Sequence, residues 1–405
     1  MDGSQIVLQH LPLDGRRLRI AVVTETYPPE VNGVAVTIGR IIDGLQHRQH
    51  QIQLIRPRQH GSDSPAQQPN FEEVLQRGMA IPRYEALKMG LPAKQALFRL
   101  WSLKRPDIVH IVTEGPLGWS ALATAQKLKL PVSTDFHTNF HSYSKHYGIG
   151  WLKTPIIAYM RKFHNKALCT MVPTDSMRRN LAALGFGRLR VVARGVDTKL
   201  FNPARRSAEL RRAWGLADDG LAVMSVGRVA PEKNLPLTLR AFEAMRAKNA
   251  GARLIMVGDG PELAAMRSRY PQHVFAGMRV GEELAAYYAS ADIFLFPSVT
   301  ETYGNVTMEA MASGLAVVAY NYAAAAEHVR HDHNGLLAEL GGEEQFVELA
   351  ASLVNERERI VRLGVAARAT TEKLDWSWIV GEFESALLEL AAEDGANEHK
   401  KRAFV

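Results

Sequence analysis

At 405 residues the chain exceeds one ordinary domain and suits two of roughly 200 residues each. Hydrophobic residues at 46% and charged residues at 22% fit a folded globular protein, and a single cysteine, Cys169, excludes an internal disulfide and a thiolate zinc cluster. A formal charge of +7 suits phosphorylated substrates, an anionic lipid surface or a plain solvated bias, whereas no nucleic-acid-binding module is recognisable.

The opening, MDGSQIVLQHLPLDGRR, lacks the apolar core of a secretion signal, and no apolar run is long enough to cross a bilayer, so a cytosolic protein is expected. Residues 18–24, LRIAVVT, read as the first strand. The loop ETYPPEVNGV follows, punctuated by Pro28, Pro29, Asn32 and Gly33, and a helical pattern begins near Val36. Strand, glycine-bearing loop and helix in that order let backbone amides approach a phosphate. Further strands at 51–55, 107–112, 132–136 and 167–172 alternate with helical patterns. This predicts an α/β fold with a doubly wound parallel sheet, whose ligands belong at the carboxyl ends of the strands.

Two stretches, 83–105 and 151–166, carry cations among apolar residues. Each suits a core-facing helix with a basic outer side or an anionic membrane face, the first through Lys94, Arg99, Lys104 and Arg105. His137 comes directly after the strand at 132–136, with His141 and His146 at spacings of four and five. No acid or cysteine completes a ligand set, so a metal-free reading is preferred.

RGVDTKLFNP at 194–203 marks the boundary between a first domain, 1–195, and a second, 196–374. The second half repeats the alternation. A strand at 221–226 ends in GRVAPEKNL, where Arg228 and Lys233 flank a loop before a helix from about Asn234. A guanidinium fork and an ammonium at a strand end can clamp a diphosphate. Strands at 254–257 and 273–275 lead into GDGPE and AGMRVGEEL, the latter holding Gly277 and Arg279. The tail from Asp375, DWSWIVGEFESALLEL, reads as an amphipathic helix, with a disordered end expected beyond Ala391.

The densest signal lies at 297–314, PSVTETYGNVTMEAMASG, after a strand at 293–296. Gly304 permits a tight turn, Asn305 is the expected N-cap, and a helix from Val306 should end near Gly314. The free amides of its first turn would bind an anion. Glu301 and Glu309, eight positions apart, frame that turn. A carboxylate accepts the paired hydrogen bonds that adjacent ribose or hexose hydroxyls offer, although a solvated loop charge and a favourable first-turn acid would account for each residue alone.

The frame PSxxExxG followed by EAMASG, together with PPxxNGV, FHT and GRxxxxKN, resembles the retaining, nucleotide-sugar-dependent glycosyltransferases of the GT-B fold known as family 4, over nearly the whole chain. The resemblance implies two facing Rossmann-like domains, with the donor held chiefly by the second and the last helix, about 375–405, crossing back onto the first. It implies that Glu309 binds the ribose diol and Glu301 the transferred hexose. Arg228, Lys233, Gly33 and the amides of Gly304, Asn305 and Val306 would stabilise the departing diphosphate, the turn from Gly277 to Arg279 would edge the nucleobase, and His137 would lie beside the sugar. No metal is expected if the two cations neutralise the diphosphate.

This chain departs from many relatives at Ala316, where they have proline, and at 323–326, where they have a Gly-Gly turn. PPEVNGVA, FHT and YNYAAAAEH look most like bacterial mannosyl-, glucosyl- or sulfoquinovosyltransferases acting on glycerolipids. GDP-mannose is therefore the expected donor, with UDP-glucose or UDP-sulfoquinovose as the alternative. The expected acceptor is a lipid or glycan, met at the inner face of an anionic membrane. A sugar-nucleotide epimerase on the same scaffold is the competing activity.

Overall fold

The computed structural model describes residues 15–30, 32–60, 62–81, 84–137, 153–217 and 219–402; His141 and His146 lie outside them. The first half forms a sheet from β1 (Arg19–Val23), β2 (Gln51–Pro57), β3 (Gln67–Gln68), β4 (Phe71–Gln76), β7 (Ile108–Ile111), β8 (Val132–Asp135), β9 (Cys169–Val172) and β10 (Leu189–Val191). Its order is β10-β9-β8-β7-β1-β2-β4-β3, parallel except for the short β3–β4 pair. Strands β5 (Gly78–Ile81) and β6 (Tyr84–Gly90) form a separate antiparallel hairpin. The second half forms a six-stranded parallel sheet from β11 (Ala222–Val226), β12 (Arg253–Val257), β13 (Val274–Gly277), β14 (Ile293–Phe296), β15 (Ala316–Tyr320) and β16 (Leu336–Ala338), in the order β13-β12-β11-β14-β15-β16.

Apart from the β2–β4 connection, helices cross back between neighbouring strands and cover both faces, which makes the sheets parallel, and the central strands read as short continuous apolar runs. Alternate residues of β1 go to opposite cores. Ile20 and Val22 pack with Ile38, Ile42 and Phe383, while Ala21 and Val23 pack with Leu97, Trp101 and Leu117. Likewise Met224 and Val226 face one core of the second sheet and Val223 the other. The doubly wound α/β fold expected from the alternation is what the chain adopts.

In each sheet the chain winds outward one way and then the other, which leaves a switch point between β1 and β7 and another between β11 and β14. Such points open crevices at the carboxyl edge, where connecting loops diverge. The loops after β1, β11 and β14 carry Gly33, Arg228 and Glu301 respectively. The last helix, Trp376–Arg402, returns to the first sheet, where Val380, Phe383 and Leu387 join the core under the Gly33–His47 helix. Gly44 is needed there, since a Cβ would meet the methyls of Val380.

Several local expectations change. Residues 83–105 are not one amphipathic helix: β6 occupies the first part of the stretch and a helix, Lys94–Leu103, the second. The tail stays helical to Arg402, past the point where order was expected to end. The segment at 323–328 is a short helix, Ala323–His328.

Candidate functional site

The helix after β14 begins one residue earlier than its sequence suggests. Gly304, at φ 93°, is the N-cap and Asn305 the first helical residue; the helix runs Asn305–Ala312 and Gly314 follows at φ 78°. Only glycine takes that left-handed cap without strain. Asn305 thus loses its expected capping role, and no side chain caps this helix, so its first-turn amides keep their capacity for an anion. Asn305 Oδ1 is buried without a hydrogen-bond partner.

Across the cleft stands the helix Gly33–His47, and its amino end is already satisfied. Asn32 Oδ1 accepts from the amides of Val34 (3.1 Å) and Ala35 (2.8 Å). Gly33 therefore offers clearance more than donors: the place its Cβ would occupy lies 3.5 Å from Asn305 Nδ2 and 3.9 Å from Arg194 Nη1. Gly33 and Asn305 are thus brought together from opposite domains.

Lys233 and Glu301 also meet. The Lys233 ammonium bonds Glu301 Oε1, which also accepts from Ser298 Oγ at 2.7 Å, and lies 5.5 Å from the Phe296 ring centre. Burial alone would push the Glu301 carboxyl up; the Lys233 charge and hydrogen bond, Ser298 and the more distant Arg194 outweigh it and hold the group below its ordinary value. The stem of Lys233 runs over Gly227, whose Cβ position is 3.8 Å from Cε. Arg228 is half-buried and lies 3.4 Å from Glu232 on the same loop.

Glu309 shows the reverse electrostatics. It has no cation beside it, and burial pushes its carboxyl up to about 7, against the Tyr288 hydroxyl that donates to Oε2 at 2.9 Å. Gly277 ends β13 at φ 74° with open space where a Cβ would be. Beyond it Arg279 lies over Tyr287 and pairs with Glu283 at 3.0 Å, while Met278 and Val280 are exposed. This turn shares the carboxyl edge with Glu301 and Glu309 but stands three strands from β14.

His137 sits at the end of β8 with both ring nitrogens engaged. Arg194 Nη2 donates to Nδ1 at 2.8 Å, which places the proton on Nε2, facing Asp135 Oδ2 at 3.0 Å. Burial lowers the imidazole against the pull of Asp135, so the ring stays neutral. Asp135 is held ionised against its burial by His110 and His137. The second domain binds the same cluster: Thr302 Oγ1 donates to the His137 carbonyl (2.7 Å) and the Tyr303 hydroxyl to the Arg194 carbonyl (3.0 Å). Asp135, Arg194, Ser298, Tyr288 and Tyr303 were not singled out in sequence. Only Asp135, an acid two residues from His137 at a strand end, carried a local signal.

Two facing doubly wound domains, a cationic loop and an open helix terminus framed by carboxylates describe an enzyme that binds a nucleotide sugar at a cleft. Residues 31–200 match the family model for Glycosyltransferase Family 4, and residues 220–356 match that for Glycosyl transferases group 1. The chain is 32% identical to a GDP-mannose-dependent alpha-mannosyltransferase of Mycobacterium tuberculosis over 90% of its length and 95% of that protein's. It is 34% identical to the sulfoquinovosyl transferase SQD2 of Arabidopsis thaliana, over 74% of this chain and 60% of that one. Sucrose-phosphate synthase from Thermosynechococcus elongatus has the same fold, with a TM-score of 0.76 at 18% identity, covering 93% of this chain and all of that one. The chain belongs to glycosyltransferase family 4, and it is a hexosyltransferase of the GT-B fold.

Proposed function

We propose that this enzyme moves mannose from GDP-mannose to a lipid or glycan acceptor with retention at the anomeric carbon. The observation that carries the chemistry is the Lys233–Glu301 pair beside the uncapped turn at Gly304. Amides of Gly304, Asn305 and Val306, with Arg228 and Lys233, stabilise the diphosphate as it departs, and Gly33 lets it approach. Glu301 accepts hydroxyls of the hexose and Glu309 those of the ribose. The turn from Gly277 to Arg279, with exposed Met278 and Val280, edges the base.

The bond from the anomeric carbon to the diphosphate oxygen breaks as the acceptor oxygen bonds to the same face, and the acceptor's proton passes to the departing phosphate. The anomeric centre passes through an oxocarbenium-like state. His137, clamped on both nitrogens, orients the wall beside the sugar. Arg228 and Lys233 supply the charge a metal would otherwise bring. The donor assignment leans on the 32% relative; a UDP-sugar-dependent glycolipid synthase is the alternative, supported by likeness to SQD2.

The test is nucleoside diphosphate release from GDP-mannose and, in parallel, UDP-glucose, with and without a bacterial lipid extract, each with and without a chelator. Lipid-stimulated GDP release is expected. UDP release alone would reassign the donor, and loss of activity on chelation would overturn the metal-free reading.

A further inference from the structure

A cavity of about 250 Å³ opens between the domains beside Glu301 and Thr302. Phe136, Met160, Leu181 and Phe186 of the first domain form its inner wall; Ala323 and Leu340 of the second close it. The hydroxyls on its wall are engaged: Thr174 caps the helix Asp175–Ala183 by accepting from the Met177 amide at 3.1 Å, and Ser176 Oγ lies 3.1 Å from Thr174 Oγ1. Beyond Glu301 and Asn180, a sugar placed here would find few partners. An alkyl chain would lose only its contact with water.

The position along the cleft says which substrate this serves. The proposed base and diphosphate sites lie after β13 and β11, and Glu301 follows β14. The cavity takes its second-domain wall from the segments after β14, β15 and β16, on the side of the sheet away from β13 and β11. It therefore starts beside the proposed sugar site at Glu301 and extends away from the proposed nucleotide sites.

Ala323 supplies an independent observation. It sits at φ 52°, in the left-handed region that penalises every side chain, and it opens the short helix Ala323–His328. Glycine would relieve that strain. The chain instead holds a methyl on the cavity wall.

We propose that this cavity binds the aliphatic chain of the acceptor, so that the acceptor is an amphiphile whose polar head reaches the sugar at Glu301. This rests on the transferase reading of the cleft, but its test does not. Isothermal titration of the full chain with 1-O-octylglycerol, below its micellar concentration, is compared with glycerol. Octylglycerol should bind at one site and glycerol should not. Met177→Trp, which fills the cavity from the partly exposed side of its helix, should weaken binding by more than about tenfold.

Ala323→Gly should weaken binding about fourfold, the worth of one buried methyl, while its melting temperature holds or rises. A general structural role for Ala323 could not move the two readouts in opposite directions. Absence of octylglycerol binding, or equal affinity in the wild type and both variants, would overturn the proposal. Octylglycerol binding by a protein that does not bind GDP-mannose would leave the cavity standing and remove the donor assignment.

Discussion

The two faces of the cleft differ in how far their polar groups are already satisfied. On the first-domain face, Asn32 caps its own helix and His137 is held by Asp135 and Arg194. On the second-domain face, the Asn305–Ala312 helix has no side-chain cap, Asn305 Oδ1 has no partner, and Glu309 is pushed up to about 7 by burial. A satisfied face is a rigid platform, whereas an unsatisfied one stores binding capacity at the expense of stability. The proposed division, with donor recognition in the second domain and positioning in the first, follows this difference at the two helix ends, although burial also pushes Glu25 of the first domain up to about 7.

The largest effect should come from breaking the Lys233–Glu301 pair on the second face. Lys233→Met removes a charge aimed at the leaving group and leaves the Glu301 carboxylate buried without its nearest cation. Removing one such group costs about 10²–10³ in rate, so kcat/KM for GDP release should fall by that factor, chiefly through kcat. A loss of less than about tenfold would mean that Lys233 is only structural.

Glu301 and Glu309 sharpen the contrast through pH, because their shifts have opposite signs. Glu301 is lowered from 4.5, so its ionised form stabilises the fold above that value, and the contribution is lost as pH falls through the lowered one. Glu309 is raised from 4.5 to about 7, so the folded state prefers it protonated, and stability is lost as pH rises through that window. Glu309→Gln should therefore raise the melting temperature at pH 8 and leave it unchanged near pH 4.5, whereas Glu301→Gln should lower it at pH 7.

Binding runs the other way. An ionised acceptor of ribose hydroxyls is worth about 1.5–3 kcal/mol, so Glu309→Gln should raise the donor KM at least about tenfold with little change in kcat. The wild-type donor KM should also worsen as pH drops below about 7, and the variant's should not. A melting temperature of Glu309→Gln that falls at pH 8 would show that the carboxylate is paid for within the apo fold.

These distinctions also mark what was legible in the sequence. The central strands were, because a strand buried on both faces must be apolar along its length, whereas β4 (FEEVLQ) and β10 (LRV), which carry charges, were missed. Lys233, Glu301 and Gly304 were legible because each lies at the end of such a strand in a loop whose residue types have few other uses. The Asn305 cap was misread because asparagine and glycine are both good caps, and only the backbone shows that Gly304 takes the left-handed turn. Arg194 and Tyr288 left no signal. Their roles come from contacts across 57 and 21 positions of chain, which no local pattern encodes. The β5–β6 hairpin was hidden because β5, GMAI, is too short to show a period and β6, YEALKMG, mixes apolar and charged residues in a pattern that fits either period.

A last contrast lies on the outer surface of the first domain, where the sequence offers membrane contact as one reading of its cations. Four cations were candidates, and the structure separates them. Lys104 pairs with Glu72 at 2.7 Å, and Arg105 donates to the carbonyls of Leu128 (2.9 Å) and Lys129 (3.2 Å), so both brace the fold. Lys94 and Arg99 are exposed on the helix that also presents Phe98 and Leu103, the latter 87% exposed. Cations beside exposed apolar side chains suit an anionic interface, and each contributes about 1 kcal/mol near such a surface. Lys94→Ser with Arg99→Ser should thus weaken sedimentation with phosphatidylglycerol vesicles by roughly ten- to thirtyfold while leaving the melting temperature unchanged. Arg105→Ser should lower the melting temperature instead, because it strips two carbonyls of their donor. Vesicle binding that survives the double substitution would remove the membrane from this face.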